Sequence, residues 1–299
     1  MAELTRAEQR LAQQPAAPNK LGLPNALDLA RAEAVITKLE SAKLRQEPVR
    51  GELDADHLKE IHRRLFGRLY EHAGQMREAT SSWGKWRELS DGTRHCVAYH
   101  NLQGVDVGRA VSRLASSAAA ELRQSRPDDT RTIAATAARL YADLDHLHPF
   151  QEGNSRTLRT FVSQMVRDTT GRRLEWDATN RTEAKRDELY RARDAEVVAR
   201  QLPREVHERQ LRQLSHSQHV LRSARPLESI MRENLEVGLQ RDLAVAMKHS
   251  PELARRVVEV ARGRYAANFE HGRASIAPTA SAQLRSRDAA VDQGRGAER

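Results

Sequence analysis

Apolar residues return at three- and four-residue spacing along most of the chain. The runs are Leu29, Ala32, Val35, Ile36 and Leu39; Leu58, Ile61, Leu65, Phe66 and Leu69; Ile133, Ala137, Leu140, Tyr141 and Leu144; and Leu158, Phe161, Val162 and Met165. A stripe of this period buries one face of a helix. It predicts a helix capped by Asn25, then helices over residues 54–70, 105–124 and 129–147, one restarting at Asn154 or Ser155, and a charged one over 182–200. Pro226 stands as the first residue of a helix reaching residue 248, and Ser250-Pro251-Glu252 opens another to residue 269. The period stops between Thr80 and Tyr99, where Trp83, Gly84, Trp86 and the turn signal Asp91-Gly92 predict a β-hairpin. Residues 1–19, with Pro15 and Pro18, read as a flexible leader, and 271–299 as a disordered tail.

Polar groups collect where one helix breaks and the next begins. The segment from His148 runs His-Pro-Phe-Gln-Glu-Gly-Asn-Ser-Arg-Thr-Leu-Arg, ending at Arg159. Pro149 disfavours helix at His148, and Gly153 with Asn154 makes a turn before the chain becomes helical again. That restart points free N–H groups and the positive end of a helix dipole into the loop, a ready place for phosphate oxygens. Arg156 and Arg159 share a face of the first turns and add charged donors. His148 can take a proton at neutral pH, and Glu152 can hold a hard divalent cation bridging phosphates. A rival reading takes Asp143, Asp145, His146 and His148 as a metal cluster. Asp143 and Asp145, two apart, fall on different sides of a helix, which counts against it.

These twelve residues resemble the Fic motif, H-x-F-x-[DE]-G-N-G-R-x-x-R, at every defined position except Ser155, where the family usually has Gly. The resemblance extends from about Asn19 to Leu202 and implies an all-α Fic fold with a small β flap; beyond it the apolar pattern itself stays helical and predicts a helical extension over 203–270, broken by a polar stretch around Ser215 to Ser223. It implies an enzyme that transfers AMP from ATP with Mg²⁺ to a Ser, Thr or Tyr hydroxyl of a protein substrate. His148 would be the catalytic base and Glu152 the metal ligand. Gly153, Asn154 and Ser155 would form the anion nest, and Arg156 and Arg159 would hold the β- and γ-phosphates. The flap would position the target by strand addition. In a phosphate-transferring branch of the family a Lys stands at the position of Ser155, and a small Ser leaves the diphosphate pocket open. The departure at Ser155 also supports the alternative of an inactive binding module, and a Fic enzyme transferring another nucleotide or a phosphate group is a further alternative, since base recognition lies outside the motif.

Regulation and targets are likewise implied by the resemblance. Ser229-Ile230-Met231-Arg232-Glu233-Asn234 fits the family's inhibitory pattern [ST]-x-x-x-E-[GN], in which Glu233 would pair with Arg159. The alternative is a separate small antitoxin carrying such a helix. Similar bacterial proteins are toxins acting on type II topoisomerases, DNA gyrase and topoisomerase IV, which sets the expectation for the target.

Composition narrows the classes. The 299 residues are 30% charged, with a mean hydropathy of −0.73, and no run of about 18 apolar residues marks a membrane span. Met1–Gln14 lacks the apolar core of a signal peptide, so a cytoplasmic protein is expected. A net charge of +9 raises nucleic acid, but the arginines are dispersed and aromatics are only 4%, too few for a stacking platform. Cys96 is the single cysteine, which excludes an intrachain disulfide and reads as a small buried side chain.

Overall fold

Helix starts are set by side chains that catch free backbone N–H groups. Asn25, Asp54, Asp106, Asp129 and Thr182 accept from the N–H groups of Asp28, His57, Arg109, Thr132 and Lys185. The computed structural model describes residues 6–78, 84–99, 104–200 and 208–250, with residues 252 and 255. The five caps open α2 (Ala26–Gln46), α3 (Ala55–Phe66), α4 (Val107–Gln124), α5 (Thr130–Leu147) and α7 (Glu183–Ala199). The other described helices are α1 (Arg6–Ala12), α6 (Asn154–Thr170), α8 (Glu208–Leu221) and α9 (Leu227–His249). The one described sheet is the antiparallel hairpin β1 (Gly84–Glu88) and β2 (Arg94–Ala98), paired from Gly84↔Ala98 to Glu88↔Arg94. The fold is therefore helical with a small hairpin, as the pattern predicts. No helix among the described residues is long and apolar enough to cross a membrane.

Two compact units divide the chain, residues 1–239 and 240–299. In the first, α6 packs against α3, α4 and α5. Its Leu158, Phe161, Val162, Met165 and Val166 are wholly buried. Burying each such side chain stabilises the fold by about 1.5–3 kcal/mol. Helix α4 packs on α5, and its small residues Ala115, Ala118 and Ala119 lie in the same buried core as Ala134, Ala137 and Tyr141 of α5. Leu227, Ile230, Met231 and Leu235 of α9 join the same core, so this part of the extension beyond residue 202 is packed into the first unit.

Several elements differ from their sequence expectation. The leader contains α1, whose Arg10 makes a two-pronged pair with Glu88 of β1 at 2.5 Å. Helix α3 ends at Phe66, where Gly67 weakens helical preference and Leu69 and Tyr70 both donate back to the Phe66 carbonyl. Within the helical extension expected beyond residue 202, α8 runs on to Leu221 through the polar residues from Ser215, and it packs on β2. Cys96 is half-buried rather than buried. Trp83, the tail 271–299 and most of the expected helix over 250–269 lie outside the described residues.

Candidate active site

Helix α5 ends in a left-handed residue. His148 has φ +49°, the one positive φ outside glycine among the described residues, and its N–H closes the helix onto the Leu144 carbonyl at 2.9 Å. Pro149 prevents another turn. Arg77 gathers the carbonyls left at this end. Its Nε donates to His148 O at 2.6 Å, its Nη2 to Leu147 O at 3.1 Å and its backbone N–H to Pro149 O at 2.8 Å. The loop is also held from within: Asn154 Oδ1 accepts from the Phe150 N–H at 3.0 Å, and its Nδ2 donates to the Phe150 carbonyl at 2.7 Å. The side chain of Asn154 thus staples the loop, and the helix is capped by Gly153 at φ +75°. A Cβ on Gly153 would lie 2.4 Å from the Phe66 ring, so close packing and backbone conformation both call for glycine.

His62 supports the same loop from α3. Its Nδ1 accepts from the Gly74 N–H at 2.8 Å, so Nε2 carries the proton and donates to the Glu152 carbonyl at 3.0 Å. Its ring stacks on Phe150 with centroids 3.9 Å apart. Burial lowers the His62 pKa to about 4, against a usual value of 6.5. Between those values the unfolded chain binds more protons, so His62 costs stability progressively as pH falls below about 6.5. We expect about 2 kcal/mol from this group between pH 7 and pH 5. Urea unfolding at the two pH values should show that much less difference in His62→Gln; an equal difference would refute the assignment.

His148 is 4% exposed, and Tyr99, at the end of β2, stacks on it at 3.7 Å. Burial lowers the His148 pKa to about 4, only partly offset by Asp145, whose Oδ1 lies 3.8 Å from Nδ1. Asp145 is clamped by Arg193 of α7 through Nε at 2.9 Å and Nη2 at 2.6 Å, both side chains being buried. Burial opposes the charge on Asp145, but Arg193 outweighs it and holds the carboxyl well below the usual range. Next to it Asp194 accepts from Arg87 of β1 and, at 2.8 Å, faces His95 Nε2 of β2. Ser90 donates to Asp187 through its N–H at 2.7 Å, and Arg191 pairs with Asp91 at 2.5 Å. The hairpin is therefore tied along its length to α7. Lys85 of β1 lies 5.3 Å over the Tyr99 ring, and desolvation followed by Arg87 and Arg193 lowers its pKa to about 8.

At the other end of the loop Glu152 is an exposed residue whose carboxyl group is partly desolvated, and that desolvation, followed by the charge of Glu33, raises its pKa. Ser155 sits in the first turn of α6 without positive φ, so its position does not require glycine. Its hydroxyl is 3.4 Å from that of Tyr141. Arg156 pairs with Glu33 of α2, and Arg159 donates through Nε to the Ser155 carbonyl at 3.2 Å. Glu233 does not pair with Arg159 as expected: it accepts from Arg225, eight residues earlier, at 2.6 Å, with Ser229 lining the same shallow surface. The rival metal cluster is not formed, because Asp143 pairs with Arg200 and Asp145 with Arg193. No group of three or more potential ligands that could hold a metal occurs among the described residues.

Sequence reasoning missed Glu33, His62, Arg77, Lys85, Tyr99 and Arg193. Three carried a usable signal: His62 lies four after Leu58, Arg193 four after Leu189 and Glu33 four after Leu29, each a polar residue on an apolar stripe.

Residues 52–166 match the family model described as Fic/DOC family. The chain is 31% identical over 177 residues to the protein adenylyltransferase VbhT of Bartonella schoenbuchensis, covering 56% of this chain and 32% of that one. It is 27% identical over 150 residues to the probable protein adenylyltransferase y4lH of Sinorhizobium fredii, covering 50% and 69%. The chain thus spans about a third of the first relative's length. Among solved structures, the BepC protein of Bartonella tribocorum with bound AMPPNP, a VirB-translocated effector, matches with a TM-score of 0.51 at 18% identity, covering 77% of this chain and 98% of that one. That likeness shows the fold.

Proposed function

We propose, for a chain whose residues 52–166 belong to the Fic/DOC family, that the loop from His148 to Arg159 transfers AMP from ATP to a protein hydroxyl. The observation that carries the reading is a buried, neutral His148 set before a helix N-terminus that Gly153 leads and two arginines flank. With a pKa of about 4, His148 is unprotonated at neutral pH and can accept the proton of an incoming Ser, Thr or Tyr hydroxyl. Asp145 lies toward Nδ1 and favours the proton there, leaving Nε2 as the accepting nitrogen. The N–H groups of Asn154, Ser155 and Arg156, in the first turn of α6, donate to phosphate oxygens and offset the negative charge those oxygens carry while the α-phosphorus is attacked. Arg156 and Arg159 hold the β- and γ-phosphates, which leave as pyrophosphate.

Glu152 fits the Mg²⁺ expected with such a nucleotide. Mg²⁺ is commonly held by one or two carboxylates together with substrate phosphates, and Glu152, an exposed residue, offers one carboxylate at the loop. Held there, the ion would supply positive charge to offset that of the bound nucleotide's phosphates.

The hairpin edges differ in what they offer a target strand. The N–H of Cys96 donates to Ser217 Oγ at 3.0 Å, and that hydroxyl donates to the Cys96 carbonyl at 2.7 Å, so α8 caps β2. Cys96 therefore faces outward, and so does its partner Trp86 on β1, which is half exposed. A target segment adds on the Trp86 side under this reading. The choice of a type II topoisomerase as target rests on family resemblance alone. Mass spectrometry of a bacterial lysate incubated with the chain, ATP and Mg²⁺ tests the function. Added AMP on Ser, Thr or Tyr is expected, and no added nucleotide on any protein would overturn it.

A further inference from the structure

We infer that Glu33 of α2 is a positioning residue for Arg156, fixing its guanidinium toward the terminal phosphates of the nucleotide. The inference rests on the phosphate-binding role proposed for Arg156 above. Glu33 lies outside the loop, 123 residues before its partner, and its side chain is 18% exposed. Both carboxylate oxygens are engaged: Oε1 accepts from Arg156 Nη1, and Oε2 accepts from the Tyr70 hydroxyl at 2.6 Å. Tyr70 is 2% exposed. Burial, followed by its hydrogen bond to Glu33, raises its pKa, so it remains a donor. The carboxylate is thereby held from two sides, on a helix whose neighbouring Leu29 is in the core.

An arginine side chain loses rotamer freedom when it grips an anion, and a contact that orders it beforehand reduces that cost. The guanidinium carries five N–H donors in a planar fork, so the contact to Glu33 at Nη1 leaves donors for a phosphate. The charge of Glu33 also subtracts from the pull of Arg156 on phosphate, which is the competing effect. The single-nitrogen contact decides for positioning, because a two-pronged pair would occupy the fork. The local sequence, Leu29-Ala30-Arg31-Ala32-Glu33-Ala34, does not fit the [ST]-x-x-x-E-[GN] pattern.

The test is calorimetric binding of ATP and AMP to the full chain, for wild type, Glu33→Gln, Tyr70→Phe, Arg156→Gln and the Glu33→Gln/Arg156→Gln double variant. AMP lacks the phosphates assigned to Arg156 and serves as the internal reference. Glu33→Gln should weaken ATP about tenfold. Tyr70→Phe should do so less, AMP affinity should stay unchanged, and the double variant should be no weaker than Arg156→Gln alone. Equal losses for ATP and AMP in Glu33→Gln and Tyr70→Phe would make the contact merely structural and overturn the inference. Tighter ATP binding by Glu33→Gln would overturn it in favour of an inhibitory counter-ion. Unchanged ATP affinity in Arg156→Gln would instead overturn the reading of Arg156 as a phosphate ligand.

Discussion

Replacing His148 by Ala is expected to lower AMP transfer by at least about a hundredfold while leaving ATP affinity nearly unchanged. The imidazole is assigned to the incoming hydroxyl and makes no contact that the phosphates need. Because His148 adopts φ +49°, which Ala tolerates poorly, His148→Asn is the companion variant. Asn accepts left-handed backbone more readily but supplies no base. Both should lose transfer, and calorimetry should show both still binding ATP. Retention of more than about a hundredth of wild-type turnover by either variant would remove His148 from the role of base.

The largest stability effect is expected under the hairpin. Asp145→Ala leaves the Arg193 guanidinium, 2% exposed, without its two-pronged partner. Breaking one side of a buried pair costs about 3–5 kcal/mol, since the remaining charge is still out of water. Urea unfolding should show this loss in Asp145→Ala. The double variant Asp145→Ala/Arg193→Met, which removes both charges, should recover much of it. A single variant as stable as wild type would mean that the pair does not hold α5 to α7.

The sequence made the local parts legible. Asn25, Asp54, Asp129 and Thr182 mark helix starts where α2, α3, α5 and α7 begin, because a cap needs only its own first turn. The break at His148-Pro149 and the turn at Gly153 are local in the same way. What stayed hidden is set across the fold. Arg193 could be seen as a charge on the stripe Leu189–Val197, but its partner Asp145 lies on another helix, and spacing names no partner. Glu33 with Arg156 and His62 with the Glu152 carbonyl are equally remote in sequence. Glu233 went the other way: a motif suggested a distant partner, whereas Arg225 on the same stretch of chain is the one it meets. Helix α8 lies in a stretch expected to be helical, but its run through the polar residues to Leu221 was not legible, because Ser217 occupies a buried position between Leu214 and Leu221 and breaks the apolar stripe with a hydroxyl that β2 needs.

The central claim is that the His148–Arg159 loop transfers AMP, and parallel reactions with ATP labelled at the α- or the γ-phosphate test it most directly. Purified chain with Mg²⁺ and a bacterial lysate should place label on protein from α-labelled ATP only, and His148→Asn should place none. Label arriving on protein from γ-labelled ATP, or α-label transfer undiminished in His148→Asn, would contradict the account.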